Sequence, residues 1–181
     1  MPVLVALIRG INVGGNRLIK MDALRKLCEA LGFRDVKTHL QSGNVVFRAS
    51  VRDTKDAAKR IGAEIEKTHG FCPEVVVRTV EEMGDVIARN PFSDRPDLDP
   101  SKLLVVFLGK DPGPEICAKL AQIETAPEEV HVRGGEVFIY FPDGQGKSKF
   151  KMVPIEKLCG PAWTGRNWNT VRAVHQLASE L

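Results

Sequence analysis

Apolar and polar positions divide the first half of the chain into six elements. The continuous apolar run Val3–Ile8 predicts a strand that is buried on both faces. Apolar residues at helical spacing follow it, and Gly32 supplies a stop, so the next element is predicted to be a helix. The later predicted elements are strands at 36–40, 45–47 and 75–77 and a helix that Asp53 or Thr54 caps and Gly70 ends. The resulting order, β-α-β-β-α-β, is that of a ferredoxin-like unit.

A helix and a proline-rich stretch separate this half from the next. Thr79 and Glu82 have the spacing of a capping box, which predicts a helix that stops near Asn90. Residues 90–102 contain three prolines and almost no periodicity, as is typical of a linker. We therefore predict a first lobe at 1–89, a linker at 90–102 and a second lobe at 103–181.

The second half begins with the same order of elements. Its predicted elements are a strand at Leu103–Leu108, a helix through Ile116, Leu120 and Ile123, strands at 130–133 and 136–141 around Gly134-Gly135, a short helix at 154–159 and a final helix from Thr164 onward. No fourth strand is evident. The pattern predicts an α+β fold with two ferredoxin-like lobes in tandem, both with antiparallel sheets, the second lobe being modified at its C-terminus.

Composition narrows the class of protein without identifying a ligand. The net charge of +3 permits an anionic partner but does not require one. No apolar run reaches membrane-spanning length and no secretory signal is evident, so we expect a cytoplasmic protein with no membrane partner. The four cysteines and four histidines are scattered, which favours free thiols and predicts no metal site and no cofactor.

A glycine-rich polar stretch at residues 9–16 follows the first strand, and a polar turn at 41–44 follows the second. The first two strands of a β-α-β unit run parallel, so both segments are expected at one edge of the sheet. The candidate ligand-binding residues there are Arg9, Asn12, Gly14, Gly15, Asn16, Gln41, Ser42 and Asn44. Their hydrogen-bonding groups suit an anion or a polar ligand. The alternative is turn chemistry, since glycine and asparagine favour turns. Neither a P-loop nor a Rossmann motif is present.

A second candidate constellation lies near the C-terminus. It combines a basic loop with the predicted start of the last helix, where unpaired N–H groups attract anions. Its candidate residues are Lys147, Lys149, Arg166, Asn167, Trp168 and Asn169. In the alternative interpretation Thr164 caps the helix, Trp168 packs between the lobes and the lysines form a solvated face. No catalytic residue can be assigned from the sequence.

Several motifs resemble those of a known bacterial family. They are residues 9–16 (RGINVGGN), Met21 with Leu24, Thr38, residues 41–47 (QSGNVVF), residues 90–92 (NPF) and residues 166–171 (RNWNTV). They occur in the order found in the domain-of-unknown-function family 1697, and the resemblance covers nearly the whole chain. It implies an α+β fold with duplicated ferredoxin-like halves and transfers no activity.

Three functions stay open at this point. The preferred one is binding of an anionic polar ligand, a nucleotide or a nucleic acid, at the edge formed by residues 9–16 and 41–44. The second is an enzyme that acts on a small polar or phosphorylated substrate at the same edge. The third is a structural or assembly module without a ligand. Whether the chain is an enzyme, and its oligomeric state, are not predicted.

Overall fold

A computed structural model describes residues 1–50 and 54–181, which form eight strands and six α-helices. The first seven elements are β1 (Val3–Ile8), α1 (Met21–Ala30), β2 (Arg34–His39), β3 (Asn44–Arg48), α2 (Thr54–His69), β4 (Val75–Thr79) and α3 (Val80–Ala88). The others are β5 (Leu103–Leu108), α4 (Gly113–Leu120), β6 (Glu129–Arg133), β7 (Glu136–Tyr140), α5 (Val153–Cys159), β8 (Trp163–Asn167) and α6 (Trp168–Ser179). Asp53, one of the two predicted caps of α2, lies outside the described residues.

The first sheet has the strand order β2-β3-β1-β4, and all its pairs are antiparallel. One face of β1 packs in a core with α1 and α2, to which Leu4, Leu24 and Ile61 contribute fully buried side chains. Phe33 stacks on Phe47 in the same core, with ring centroids 4.3 Å apart. Helices on one face of an antiparallel sheet define the ferredoxin-like unit that the apolar pattern predicts.

The predicted capping box begins α3. The Thr79 hydroxyl accepts a hydrogen bond from the backbone N–H of Glu82 at 3.1 Å, and the Glu82 carboxylate accepts one from the Thr79 N–H at 2.8 Å. Two backbone donors at the start of the helix are thereby satisfied.

The second sheet repeats the topology of the first. Its strand order is β6-β7-β5-β8, again with antiparallel pairs only. Val106, Ile139 and Ile155 belong to the buried core that this sheet forms with α4 and α5. The chain therefore has an α+β fold of two ferredoxin-like units in tandem, and α6 follows the last strand of the second.

The fourth strand of this sheet corrects the prediction for the C-terminus. Residues 163–167 form β8, which pairs with β5 in the register Val105↔Arg166 and Phe107↔Thr164. The predicted helix from Thr164 is therefore wrong in its start, because α6 begins at Trp168. The strand completes a β-α-β-β-α-β order in the second half as well.

The structure divides into two compact units, Met1–Gly84 with Ala173–Leu181 and Asp85–Arg172. These bounds differ from the predicted lobes, because the C-terminal residues group with the first unit. The predicted division into a first lobe at 1–89, a linker at 90–102 and a second lobe at 103–181 stays a prediction. Within the described residues, no helix combines the length and the apolar character needed to cross a membrane.

Candidate functional site

The glycine-rich segment forms a tight loop after β1. Val13 and Asn16 pair as an isolated antiparallel bridge, which folds residues 13–16 into a turn. Gly15, with φ of +76°, has a backbone conformation that L side chains rarely adopt. Residues 13–18 are exposed, so the turn projects into solvent.

Asn12 joins this loop to the second predicted segment. Its side-chain amide donates to the carbonyl of Ile19 at 2.9 Å and to that of Gln41 at 2.8 Å. Its amide oxygen accepts a hydrogen bond from the Ile19 N–H at 2.8 Å. The two segments therefore do meet at one edge of the first sheet, and Asn12 holds them together through its own polar groups.

Gly43 and Asn44 hold the turn at residues 41–44 in place against the loop that follows β1. The Ile8 N–H donates to the Gly43 carbonyl at 2.9 Å, and a Cβ on Gly43 would lie 2.8 Å from Cδ1 of Ile11. Asn44 is fully buried and donates to the carbonyl of His39 and the hydroxyl of Ser42. Asn12 and Asn44 thus have roles in the turn geometry that the alternative interpretation describes.

Other predicted residues stay accessible around this framework. Asn16, Gln41 and Ser42 are exposed and Arg9 is half-buried, with its backbone N–H donating to the Glu74 carbonyl at 2.9 Å. Among the described residues, none accepts a hydrogen bond from the backbone N–H of Gly14 or Gly15. We call residues 9–18 together with 40–44 the loop edge.

Arg17, which belongs to this edge, contacts Phe71 beside it, although the sequence pattern does not point to either residue. The Arg17 guanidinium carbon lies 5.3 Å from the centroid of the Phe71 ring, and no acidic side chain of the described residues pairs with Arg17. The topology carries a signal for Phe71. Because β4 runs antiparallel to β1, the segment that enters β4 reaches the edge where β1 ends.

Exposed apolar side chains also belong to the loop edge. Val13, Leu18 and Leu40 are 64%, 66% and 59% exposed. Single exposed apolar residues are common, but three at one edge together with an arginine form a mixed surface that can contact both the apolar and the charged parts of a ligand.

The second constellation does not form as predicted. Arg166 lies on β8, is 7% exposed, and donates to the Thr164 hydroxyl at 2.7 Å and the Gly165 carbonyl at 2.8 Å. Burial lowers the pKa of its guanidinium to about 10. Thr164 is likewise buried in the strand, so neither residue is at a helix N-terminus. Arg166 is a structural residue of the second unit.

Asn167, and not Thr164, caps the last helix. Its side-chain oxygen accepts from the Asn169 N–H at 3.0 Å, and its amide donates to the Ser101 carbonyl at 2.7 Å. Trp168 is 8% exposed and lies 6.5 Å from Phe138 between ring centroids. Trp168 therefore packs within the second unit, and its predicted role in ligand binding stays a prediction.

The predicted lysines lie in a different part of the second unit. Lys147 and Lys149 line an open cavity of about 580 Å³, together with Lys151 and the carboxylate-bearing Glu128. Glu128 is 8% exposed, and the Ser148 hydroxyl donates to its carboxylate. The anion-binding role of the lysines stays a prediction, because this cavity has both charges in its wall.

Reactive and metal-binding groups are sparse in the part of the chain that the structure describes. No group of three or more histidine, cysteine, aspartate or glutamate side chains there could hold a metal ion. Cys28 is buried, and desolvation raises the pKa of its thiol to about 12, which keeps it protonated.

Two ferredoxin-like units with a glycine-rich loop edge define the class of this protein, and the comparisons agree with that architecture. The model of the family described as "Protein of unknown function (DUF1697)" matches residues 1–138, so the chain belongs to that family. One solved structure, the conserved bacterial protein SP0830 from Streptococcus pneumoniae, covers 98% of both chains at 19% identity with a TM-score of 0.73. That likeness concerns the fold alone. No curated protein matches the chain.

Proposed function

We propose that this protein is a binding protein for an anionic ligand, a nucleotide or a short single-stranded nucleic acid, at the loop edge, and that it acts in the cytoplasm. The observation that carries the proposal is the placement of Arg17, whose guanidinium lies over the Phe71 ring without an acidic partner among the described residues. A stacked arginine is pre-organised, so it loses less side-chain entropy when it binds a phosphate.

The loop geometry supports an anion beside this arginine. The backbone N–H groups of Gly14 and Gly15 find no acceptor among the described residues, and no atom lies within 4 Å of a Cβ built at either glycine. Adjacent free N–H groups in a positive-φ turn attract oxyanions. Because the hydrogen bonds of Asn12 fix the loop against residue 41, these donors need little reorganisation to bind.

The apolar part of the edge favours a nucleotide or a nucleic acid over inorganic phosphate. Val13, Leu18 and Leu40 offer exposed apolar surface beside the cationic and N–H groups. Bases and sugars present apolar faces next to phosphates, and proteins that bind single strands combine both kinds of contact.

Binding of a fluorescently labelled single-stranded oligonucleotide, followed by anisotropy at low and moderate salt, tests the proposal. We expect Arg17→Ala to weaken binding about tenfold and to reduce the salt slope by about one, since the variant makes one phosphate contact fewer. Arg34→Ala is the matched control: Arg34 is exposed at the opposite end of β2 and carries the same charge. In a second series of measurements, unlabelled mononucleotides are added to the complex to test whether they displace the labelled oligonucleotide.

Three outcomes would contradict the proposal. The first is the absence of binding by oligonucleotide and mononucleotide at low salt, and the second is an equal loss of affinity in the Arg17 and Arg34 variants. The third is a loss of stability in Arg17→Ala that accounts for the weaker binding, which would favour the structural alternative.

A further inference from the structure

A second cavity, in the unit Asp85–Arg172, has the character of a small-molecule site. It is open to solvent and has a volume of about 430 Å³, within the range of ligand pockets. Three aromatic side chains, Phe92, Tyr140 and Trp168, line it together with Arg95 and Arg172. We call it the aromatic cavity. Two sequence motifs that the loop edge does not use, at 90–92 and 166–171, contribute to its wall.

The aromatic wall is held in place by contacts within the unit. The Phe92 ring lies 5.8 Å from that of Tyr140 and 5.2 Å from that of His131. Arg95 covers the Phe92 ring at 5.9 Å and forms an ion pair with Glu129 at 2.7 Å. Each of the three rings is more than nine-tenths buried, so these contacts fix the wall and leave a small part of each ring to contact a ligand at low entropic cost.

Some polar groups of the wall make hydrogen bonds to described residues, and others do not. Asn90 and Asp99 accept local hydrogen bonds, from the N–H of Phe92 and of Ser101. By contrast, no described residue bonds to the Tyr140 hydroxyl, the Trp168 indole N–H or the Arg172 guanidinium. Tyr140 and Trp168 are buried residues, but every fully buried polar side-chain atom of the described residues has a hydrogen-bond partner. Because the Tyr140 hydroxyl and the Trp168 indole nitrogen have no such partner, these two atoms are in contact with solvent.

We propose that the aromatic cavity binds a small molecule with a planar ring and one anionic group, a phosphate or a carboxylate. The ring of the ligand packs against the accessible parts of the aromatic wall and accepts from the Trp168 N–H or the Tyr140 hydroxyl, and the anion pairs with Arg172. Arg172 is the cation available to the anion, because it has no acidic partner among the described residues whereas Arg95 is paired with Glu129. This site uses none of the residues of the loop edge and goes beyond the function proposed there.

The two tryptophans allow a direct test by ¹H–¹⁵N NMR of the full chain. Trp168 lines the cavity, whereas the indole N–H of Trp163 already donates to the Glu156 carboxylate at 2.6 Å. In titrations with adenosine monophosphate and with indole-3-acetate, we expect the Trp168 indole resonance to shift and saturate and that of Trp163 to stay in place. The spectrum of the Trp168→Phe variant lacks the Trp168 indole resonance and thereby identifies it. Adenosine, indole and inorganic phosphate are the matched partial ligands and should bind at least tenfold more weakly.

Two arginine variants distinguish specific binding in the aromatic cavity from nonspecific attraction of an anion to a positively charged protein. Arg172→Ala should weaken the better of the two anionic ligands about tenfold and leave adenosine or indole unchanged, because only the ion pair with the anion is removed. Arg133→Ala removes the same charge from an exposed position of β6 and should have no effect. The proposal is overturned if neither anionic ligand shifts the Trp168 resonance at millimolar concentration, if both tryptophans shift equally, or if the two arginine variants behave alike.

Discussion

Asparagine side chains at the loop edge show that one residue type can have two roles. Asn12 makes three hydrogen bonds to backbone groups, and the buried Asn44 makes two more contacts within its turn, whereas Asn16 is exposed. The sequence predicts that all three converge, because topology determines the edge to which each segment leads. It does not predict which of them binds backbone and which faces solvent, since that depends on the path of each loop, which the residue pattern does not specify.

Substitutions of Gly43 and Gly15 can separate two effects of an added side chain, the strain of a positive φ and the steric overlap with neighbouring atoms. Both have φ of +76°, but a Cβ on Gly43 would lie 2.8 Å from Ile11, whereas one on Gly15 meets nothing within 4 Å. We expect Gly15→Ala to lower the free energy of unfolding by about 1 kcal/mol through backbone strain alone. Gly43→Ala should cost about 2 to 4 kcal/mol, because overpacking adds to that strain. Urea denaturation of the two variants measures the difference, and equal losses of stability would contradict the steric argument.

At the scale of elements, apolar runs in the sequence locate most of the strands. Strand β8 is the exception, because its buried side chains are polar. A run such as Leu103–Leu108 identifies a buried strand directly. In β8 the buried positions are Thr164 and Arg166, which are polar, and Gly165 lies between them. A hydrophobic pattern cannot indicate a strand whose buried side chains are polar, so the pattern assigns the segment to the neighbouring helix. A Cβ on Gly165 would lie 3.3 Å from Cδ1 of Leu104, so a larger residue there needs a small shift of the Leu104 side chain.

Arg166 provides the prediction for this strand. Its guanidinium is buried and donates to Thr164 and Gly165, so its removal leaves a cavity and unpaired acceptors. We expect Arg166→Ala to lower the free energy of unfolding by about 2 to 3 kcal/mol. Arg166→Lys should recover only part of this stability, because a lysine amine cannot reproduce the fixed donor geometry. Thermal and urea unfolding check both values, and a loss of oligonucleotide binding without a loss of stability would contradict the structural role.

At the scale of the whole molecule, the order of elements in the sequence predicts that the second half repeats the fold of the first. It does not predict the bounds of the two compact units. Both sheets have the same strand order, which follows from two copies of one β-α-β-β-α-β order. The grouping of Ala173–Leu181 with the first unit has no counterpart in the sequence pattern. It depends on contacts between residues far apart in the chain, such as the hydrogen bond that the Arg48 side chain donates to the Leu181 carbonyl.

The end of α6 should therefore stabilise the first unit selectively. Ala178 is 2% exposed and Leu181 accepts from Arg48, and both belong to the unit that contains β1 to β4. We expect removal of residues 177–181 to increase amide hydrogen exchange in β1 and β4 at least tenfold, while β5 and β7 change little, because the removed segment is part of the first unit. Ser179→Ala, at an exposed residue whose hydroxyl only donates to the His175 carbonyl, is the control and should leave both sheets unchanged. Mass spectrometry of exchanged peptides measures each strand, and equal loss of protection in the two sheets would show that this segment stabilises the whole chain and not one unit.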